Sequence, residues 1–364
     1  MNRKLNVLIL GASYGALAGC KLALAGHSVT LVCTTLTAKL INKRGVVVRF
    51  PLRGRDSLAV VNTNLLEGRV DACIPTDVDV QKYDLVVLGM QEPQYQSPQV
   101  KVLMTRIARA HKPCVAIMNM PPLAYMRRLP GVNADALSDC YADARLWNQF
   151  EPELVTVASP DPQAFRPADS EKNVLQVSLP TNFKVARLAS DTHTDMLRMI
   201  ERDIQQARHE HLGMQIELPV KVRVHESLYV PLAKWSMLMT GNYRCVTRNG
   251  MMPICDAVHG DLELSEAIYD WTASLCKSLG ADSTDLVPFE KYAKAALGLV
   301  QPSSAAKALS QGAQAIERVD RLVQSLAKQR GLSHPVVQRI VGNVDWYLDR
   351  NTDMTRQSRV AIAG

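Results

Sequence analysis

Short, unbroken apolar runs punctuate the first half of the chain, each closed by glycine, proline or polar residues. Asn6–Leu10 (NVLIL), Ser28–Val32 (SVTLV), GVVVRF at 45–50, LAVVN at 58–62, YDLVVLGM at 83–90 and CVAIMN at 114–119 have the length and β-branched content of buried strands. Between them lie stretches of helical spacing, GALAGCKLALAG at 15–26 and SPQVKVLMTRIARAH at 97–111. Strands without polar alternation need cover on both faces, and their alternation with helices predicts an α/β fold with a largely parallel sheet. From Leu154 to Leu188 the pieces shorten (LVTVAS, VLQVSL, FKVARL), and the same sheet is expected to absorb them as a meander. A helix over about 195–212 then leads to MQIELPVKVRV at 214–224.

Beyond His225 helical periodicity takes over, in ESLYVPLAKWSMLMTGN (226–242), LSEAIYDWTASLCKSLG (264–280), FEKYAKAALG (289–298) and AQAIERVDRLVQSLAKQRG (313–331). The change of pattern predicts a first domain over 1–220, a helical second domain over 221–350 and a loose tail at 351–364. A length of 364 residues accommodates two domains, and 47% hydrophobic with 21% charged residues is ordinary for a globular protein. No apolar run is long enough to span a membrane, and MNRKLNVLIL reads as the approach to a first strand. The eight cysteines form no C-x-x-C pair, so reduced, buried thiols of a cytoplasmic protein are expected. No metal site is expected, because the histidines lack ligand spacing. The net charge of +7 is dispersed and not interleaved with aromatics, which disfavours nucleic acid and suits a polyanionic cofactor.

One turn carries candidate chemistry. The first strand runs straight into GASYGALAG, which sets backbone N–H groups at a helix N-terminus, where the dipole favours a pyrophosphate. Gly11 suits the tight turn, Gly15 permits close approach, and Ser13 stands where G-x-G-x-x-G has its second glycine; Ala12 and Tyr14 complete the loop. Taken locally it is either a cofactor loop or a tight βα turn that binds nothing, and the strand resuming at Ser28 favours the first. At the end of the second strand LVCTTLTAK holds no acidic residue for the ribose hydroxyls of NAD. Thr34 and Thr35, with Lys39, Lys43 or Arg44, would instead receive the extra phosphate of NADP; a solvated polar loop would look the same.

These segments, in this order, resemble the ketopantoate reductase (2-dehydropantoate 2-reductase) family over nearly the whole chain. That family opens GAG-x-x-G…AGH-x-VTLV-x-R, against GASYGALAGCKLALAGHSVTLVCT here, with Thr34 where a phosphate-binding arginine is common. Its DLVLLAVK strand is matched by YDLVVLGMQ, with Gln91 at the lysine, and its QNG turn by IMNMP, which puts Asn119 near nicotinamide and substrate. Its K-x-x-x-N-x-x-x-N helix is matched by KWSMLMTGN: Lys234 and Asn242 agree, and Leu238 replaces the middle asparagine. PSSAAKALSQGAQAIERVDRLVQ supplies Ser303, Ser304, Glu317 and Asp320 for the family's SSM…TEID segment, and AKQRGLSHPVVQRIVGNV is similar to its closing stretch. The resemblance implies a Rossmann-like N-terminal domain, an all-helical C-terminal domain, and an active site in the cleft between them. It also implies NADP as cofactor, a small 2-oxo acid substrate as in pantothenate biosynthesis, and a homodimer.

In such a reaction the cofactor brings the hydride and the protein supplies position, polarisation and a proton. Lys234, mid-helix in an apolar stretch, is the candidate general acid; a lysine snorkelling from an amphipathic helix would look alike. Asn242, eight residues on, would line the same groove if the helix is regular, and would otherwise be a helix cap. Glu317 either orients Lys234 or belongs to a solvated salt-bridged face, and Ser303 and Ser304 either bind substrate or cap a helix. Leu238 and Gln91 remove polar groups from the implied pocket, which points to a substrate with a more apolar body than ketopantoate. Two alternatives stand beside this reading. One is an opine-type dehydrogenase relying on His225; the other is an NADP-binding sensor or scaffold without catalysis.

Overall fold

A computed structural model describes residues 3–54 and 57–363 of the chain. By internal packing it divides into two units, Met1–Met90 with Gln94–Arg128 and Arg145–Pro231, and Gln91–Pro93 with Leu129–Ala144 and Leu232–Gly364. The division therefore falls later than 220, and two short insertions of the first half join the second unit. Hydrogen bonds explain the insertions. Glu92 accepts from the Ala142 amide at 3.2 Å, and Gln329 exchanges bonds of 2.9 and 3.1 Å with the backbone of Asn133.

The first unit holds strands β1 (Asn6–Leu10), β2 (Ser28–Val32), β3 (Val47–Pro51), β4 (Leu58–Asn62), β5 (Val70–Cys73), β6 (Leu85–Leu88) and β7 (Cys114–Ile117). It continues through β8 (Val155–Ser159), β9 (Gln163–Phe165), β10 (Val174–Leu179), β11 (Phe183–Ala186), β12 (His209–His211), β13 (Met214–Ile216) and β14 (Val222–His225). The principal sheet has the order β14-β11-β8-β7-β6-β1-β2-β5, and only the β8–β11 pair is antiparallel. Val7 to Leu10 of β1 are fully buried because parallel neighbours flank the strand on both sides and helices cover both faces. Helices α1 (Tyr14–Leu24), α2 (Thr35–Arg44), α3 (Pro98–Arg109), α4 (Leu123–Met126), α5 (Ala144–Trp147) and α6 (Asp191–Gln206) supply connections and cover.

Three expected members of this sheet are elsewhere. β3, β4, β9 and β10 form a separate four-stranded sheet of order β4-β3-β10-β9. β4 shows why: Ala59 and Val61 are buried while Val60 is half exposed, the alternation of a strand with one wet face. The edge next to β2 is taken instead by β5, a strand not anticipated from its polar VDAC sequence.

The second unit is helical: α7 (Lys234–Met237), α8 (Ile254–His259), α9 (Leu262–Leu279), α10 (Phe289–Ala296), α11 (Ser304–Ser310), α12 (Val319–Gln329) and α13 (Pro335–Ala363). Two expectations fail here. The segment 313–318 is not helical, and α12 begins only at Val319. The closing stretch is no loose tail, because α13 runs on through 351 to Ala363; Gly364 lies outside the described residues. Asn351 is the anchor. Its buried amide donates to the carbonyls of Leu309 and Ala313, both at 2.9 Å, satisfying backbone groups at the end of α11.

Candidate functional site

β1 ends where the sheet reverses direction of growth, with β2 on one side and β6 on the other, the switch point at which open α/β sheets bind ligands. Three glycines build it. Gly11 has φ +103°, and a Cβ there would come within 2.6 Å of Met90 Cγ and 2.8 Å of the Gly89 carbonyl. A Cβ on Gly15 would meet Ile9 Cγ2 at 2.6 Å, and a Cβ on Gly89 would meet the Gly15 backbone at 3.2 Å. The backbone of the turn therefore lies closer to β6 than any side chain allows. Gly89, which closes a fully buried strand, was not recognised from the sequence as part of this arrangement.

The Gly11 amide donates to the Val32 carbonyl at 2.9 Å, whereas the amides of Ala12 and Ser13 donate to no group among the described residues. Ser13 is exposed and is the N-cap residue of α1, yet its hydroxyl makes no capping bond, and the first turn of α1 contains no acidic residue. Tyr14 opens the helix and is half-buried. Open amides, an unneutralised helix N-terminus and space that only glycine leaves fit the pyrophosphate of a dinucleotide.

At the end of β2, Thr34 is exposed and its hydroxyl lies 3.0 Å from that of Thr37. Of the cations expected to assist it, Lys39 is exposed about 8 Å along the helix axis, while the other two separate. Lys43 and Arg44 occupy the last turn of α2, about 14 Å along the axis from Thr34, and Arg44 is paired with Glu171 at 2.5 Å. Arg166, unnoticed in the sequence, does reach this region, donating to the Ala12 carbonyl at 3.0 Å. Asn119, half-buried, follows β7 at the same carboxyl end of the sheet; Gln91 is exposed and belongs with the second unit. His225 ends β14, five strand spacings or roughly 24 Å from β1, which removes the geometric case for it beside the glycine turn.

In the second unit Lys234 is half-buried and opens α7, but the helix it starts is not regular. Leu238–Asn242 is a π-helical turn, closed by the Tyr243 amide donating to the Leu238 carbonyl five residues back at 2.9 Å. The assumption of a uniform α-helix from Lys234 to Asn242 is thus corrected. A packing contact accounts for the widened turn. Tyr292 sets its hydroxyl against Gly241, where a Cβ would be 2.2 Å away, and donates to the Met237 carbonyl at 3.1 Å. The buried Thr240 hydroxyl finds no hydrogen-bond partner among the described residues.

This turn gathers several of the expected residues. The Asn242 carbonyl accepts from Ser303 Oγ at 2.7 Å, and the same oxygen accepts from the Ala306 amide at 3.1 Å as the N-cap of α11. Capping is therefore what the Ser303 side chain does. Ser304 is exposed at the first position of α11. Glu317 is buried in the irregular segment before α12, not on a solvated helical face. Asp320, fully buried, holds Arg318 in two parallel bonds of 2.9 and 3.0 Å, which keeps 317–319 in place. Tyr243, missed in the sequence, connects the two parts: its hydroxyl donates to the Glu317 carbonyl.

The backbone as a whole superposes on known enzymes. A PanE/ApbA family ketopantoate reductase from Ralstonia eutropha JMP134 aligns with TM-score 0.62 at 15% identity, over 96% of this chain and all of that one. The chain has the ketopantoate reductase fold. A D-mandelate dehydrogenase, solved with NADH and anilino(oxo)acetate, aligns equally well at 0.62 and 11% identity, over 96% and 99% of the two chains. The dimeric ketopantoate reductase of Staphylococcus aureus reaches 0.59 at 9% identity, over 95% and 100%. No model of a protein family matches the chain, and no curated protein matches it by sequence. The resemblance read from short motifs is thus met in the fold.

Proposed function

We propose that the chain is an NADPH-dependent reductase converting a 2-oxo acid to the 2-hydroxy acid. The observation that carries this reading is the glycine turn at the switch point, with the Ala12 and Ser13 amides open at an acid-free helix N-terminus. NADPH, when bound, supplies the hydride. Residues 11–15 would hold its pyrophosphate and Thr34 its adenosine end, with Asn119 and Gln91 toward the nicotinamide.

Lys234 polarises the substrate carbonyl and passes its ammonium proton to the developing alkoxide. Glu317 orients that lysine, and Asn242 and Ser304 hydrogen-bond the substrate. Ser303 acts indirectly, since its hydroxyl fixes the Asn242 backbone. Leu238 is buried at the start of the π turn where the resemblance expects an asparagine, which favours a 2-oxo acid with an apolar body. The shared fold of the D-mandelate dehydrogenase, solved in a ternary structure with NADH and anilino(oxo)acetate, supports the same substrate class. A homodimer is proposed by analogy with the Staphylococcus aureus enzyme.

The test is a spectrophotometric screen of NADPH and NADH oxidation against a panel of 2-oxo acids, ketopantoate and aryl-substituted acids among them. Oxidation of NADPH with at least one acid is expected. Tight NADPH binding with no oxidation across the panel would leave a nucleotide-binding scaffold in its place.

A further inference from the structure

The end of β2 lacks the carboxylate that would bind ribose hydroxyls, and it also lacks the arginine that would bind a 2′-phosphate: Cys33 and Thr34 stand there. On α2 only the exposed Lys39 remains near Thr34, so a strong preference for NADPH calls for a further cation from another part of the fold. Arg166 meets that need. It follows β9, at the edge of the four-stranded sheet, and is distant in sequence from both the glycine turn and β2. Its Nη2 donates to the Ala12 carbonyl at 3.0 Å, so the guanidinium is tethered to the very loop that would hold the pyrophosphate.

The charge of Arg166 also reaches the end of β2. Burial pushes the Cys33 thiol up to about 11, the neighbouring Cys73 pushes the same way, and the positive charge of Arg166 opposes them; no carboxylate contributes. Arg166 is thus bonded to the turn that follows β1, and its charge reaches Cys33 at the end of β2; the adenosine ribose of a switch-point dinucleotide sits beside the ends of these two strands. Among the described residues it forms no ion pair, and only one of its five N–H groups is engaged, which leaves the rest of the fork for an anion. Ser13, next to Ala12 in the turn, and Thr34, after β2, are both exposed and carry hydroxyls.

We propose that Arg166 is the residue that reads the 2′-phosphate of NADPH, delivered from the second sheet to the position that β2 leaves vacant. The proposal rests on the cofactor reading above and adds a specificity residue to it. The site is assembled from two sheets. Its cofactor preference can therefore change without any change in the glycine turn or β2.

The experiment measures equilibrium binding of NADPH, NADH and adenosine 2′,5′-bisphosphate to the full chain and to Arg166→Ala and Arg166→Lys, by titration calorimetry. A charge-assisted contact predicts that Arg166→Ala weakens NADPH and the bisphosphate by about 10- to 100-fold, with NADH altered less than about threefold. Arg166→Lys should recover part of the loss, since the charge is kept and the fork is not. Equal weakening of NADPH and NADH would overturn the proposal, because Arg166 would then serve the shared pyrophosphate or the loop. Wild-type binding of NADH as tight as NADPH would overturn it while leaving the dinucleotide site standing. A wild-type chain that binds neither nucleotide would instead refute the cofactor reading itself. Arg166 is exposed, so unchanged melting curves are expected for both variants.

Discussion

The phenol of Tyr243 donates to the Glu317 carbonyl at 2.5 Å and accepts from the Val319 amide at 3.2 Å. One hydroxyl therefore ties the end of the π turn that Lys234 leads into to the irregular segment carrying Glu317. Burial raises the Tyr243 phenol well above its ordinary range, so it remains a donor throughout the working pH range.

Tyr243→Phe keeps the ring and removes both bonds. It should cost about 1–3 kcal/mol in urea denaturation, because a buried carbonyl and a buried amide both lose their partner. Turnover should also fall, with NADPH affinity unchanged. Wild-type stability in the variant would show that the Arg318–Asp320 pair alone holds 317–319 in place.

Lys234→Ala removes the proposed proton donor. A loss of about 10²- to 10⁴-fold in turnover is expected, with the dissociation constant for NADPH almost unaltered. Steady-state kinetics beside a binding titration separate the two quantities. Unchanged turnover would take the lysine out of the mechanism.

Gly241→Ala places a methyl group within 2.2 Å of the Tyr292 hydroxyl. The single variant should be destabilised by about 1–3 kcal/mol through overpacking. Combining it with Tyr292→Phe removes the clashing oxygen, so the double variant should be more stable than the two separate costs predict. A double-mutant cycle reads that coupling, and strict additivity would place the strain elsewhere.

Lys21 gives a pH dependence of known sign. Its ammonium is buried in α1 and donates to the carbonyls of Leu218 and Pro219 at 3.2 and 3.1 Å, and burial pushes its pKa down to about 8 from 10.5. Between those values the unfolded chain keeps a proton that the folded chain has lost. Stability contributed by this group therefore rises with pH from about 8 to 10.5, by at most about 3 kcal/mol. Denaturation midpoints across that window should show the rise in wild type and a flatter profile in Lys21→Met. Equal slopes would mean that the buried amine does not titrate there.

Local patterns carried much of this fold. β1 and β2 begin and end where their apolar runs do, and the glycine turn lies where a strand meets a small-residue helix. Pattern failed wherever partners decide. VVRFP, LAVVN and VLQVSL are strands in either sheet, and periodicity does not say which. Arg166 is one arginine in a proline-containing stretch, and nothing near it in sequence hints at Ala12. Tyr243 gave no signal either, because its meaning depends on a carbonyl 74 residues away.

By itself, then, the order of residues determined the parallel α/β half, the helical half and the glycine turn between β1 and α1. Each of these depends on backbone propensity and on periodicity within one segment. Tertiary structure alone decided the second sheet, the π turn, the buried setting of Glu317, the helical course of residues 351–363 and the approach of Arg166 to the turn. Those depend on single contacts between distant segments: Tyr292 against Gly241, Tyr243 on Glu317, Asn351 on α11 and Arg166 on Ala12. A hydrogen bond or a steric contact made across a fold leaves no trace in the spacing of either segment that makes it.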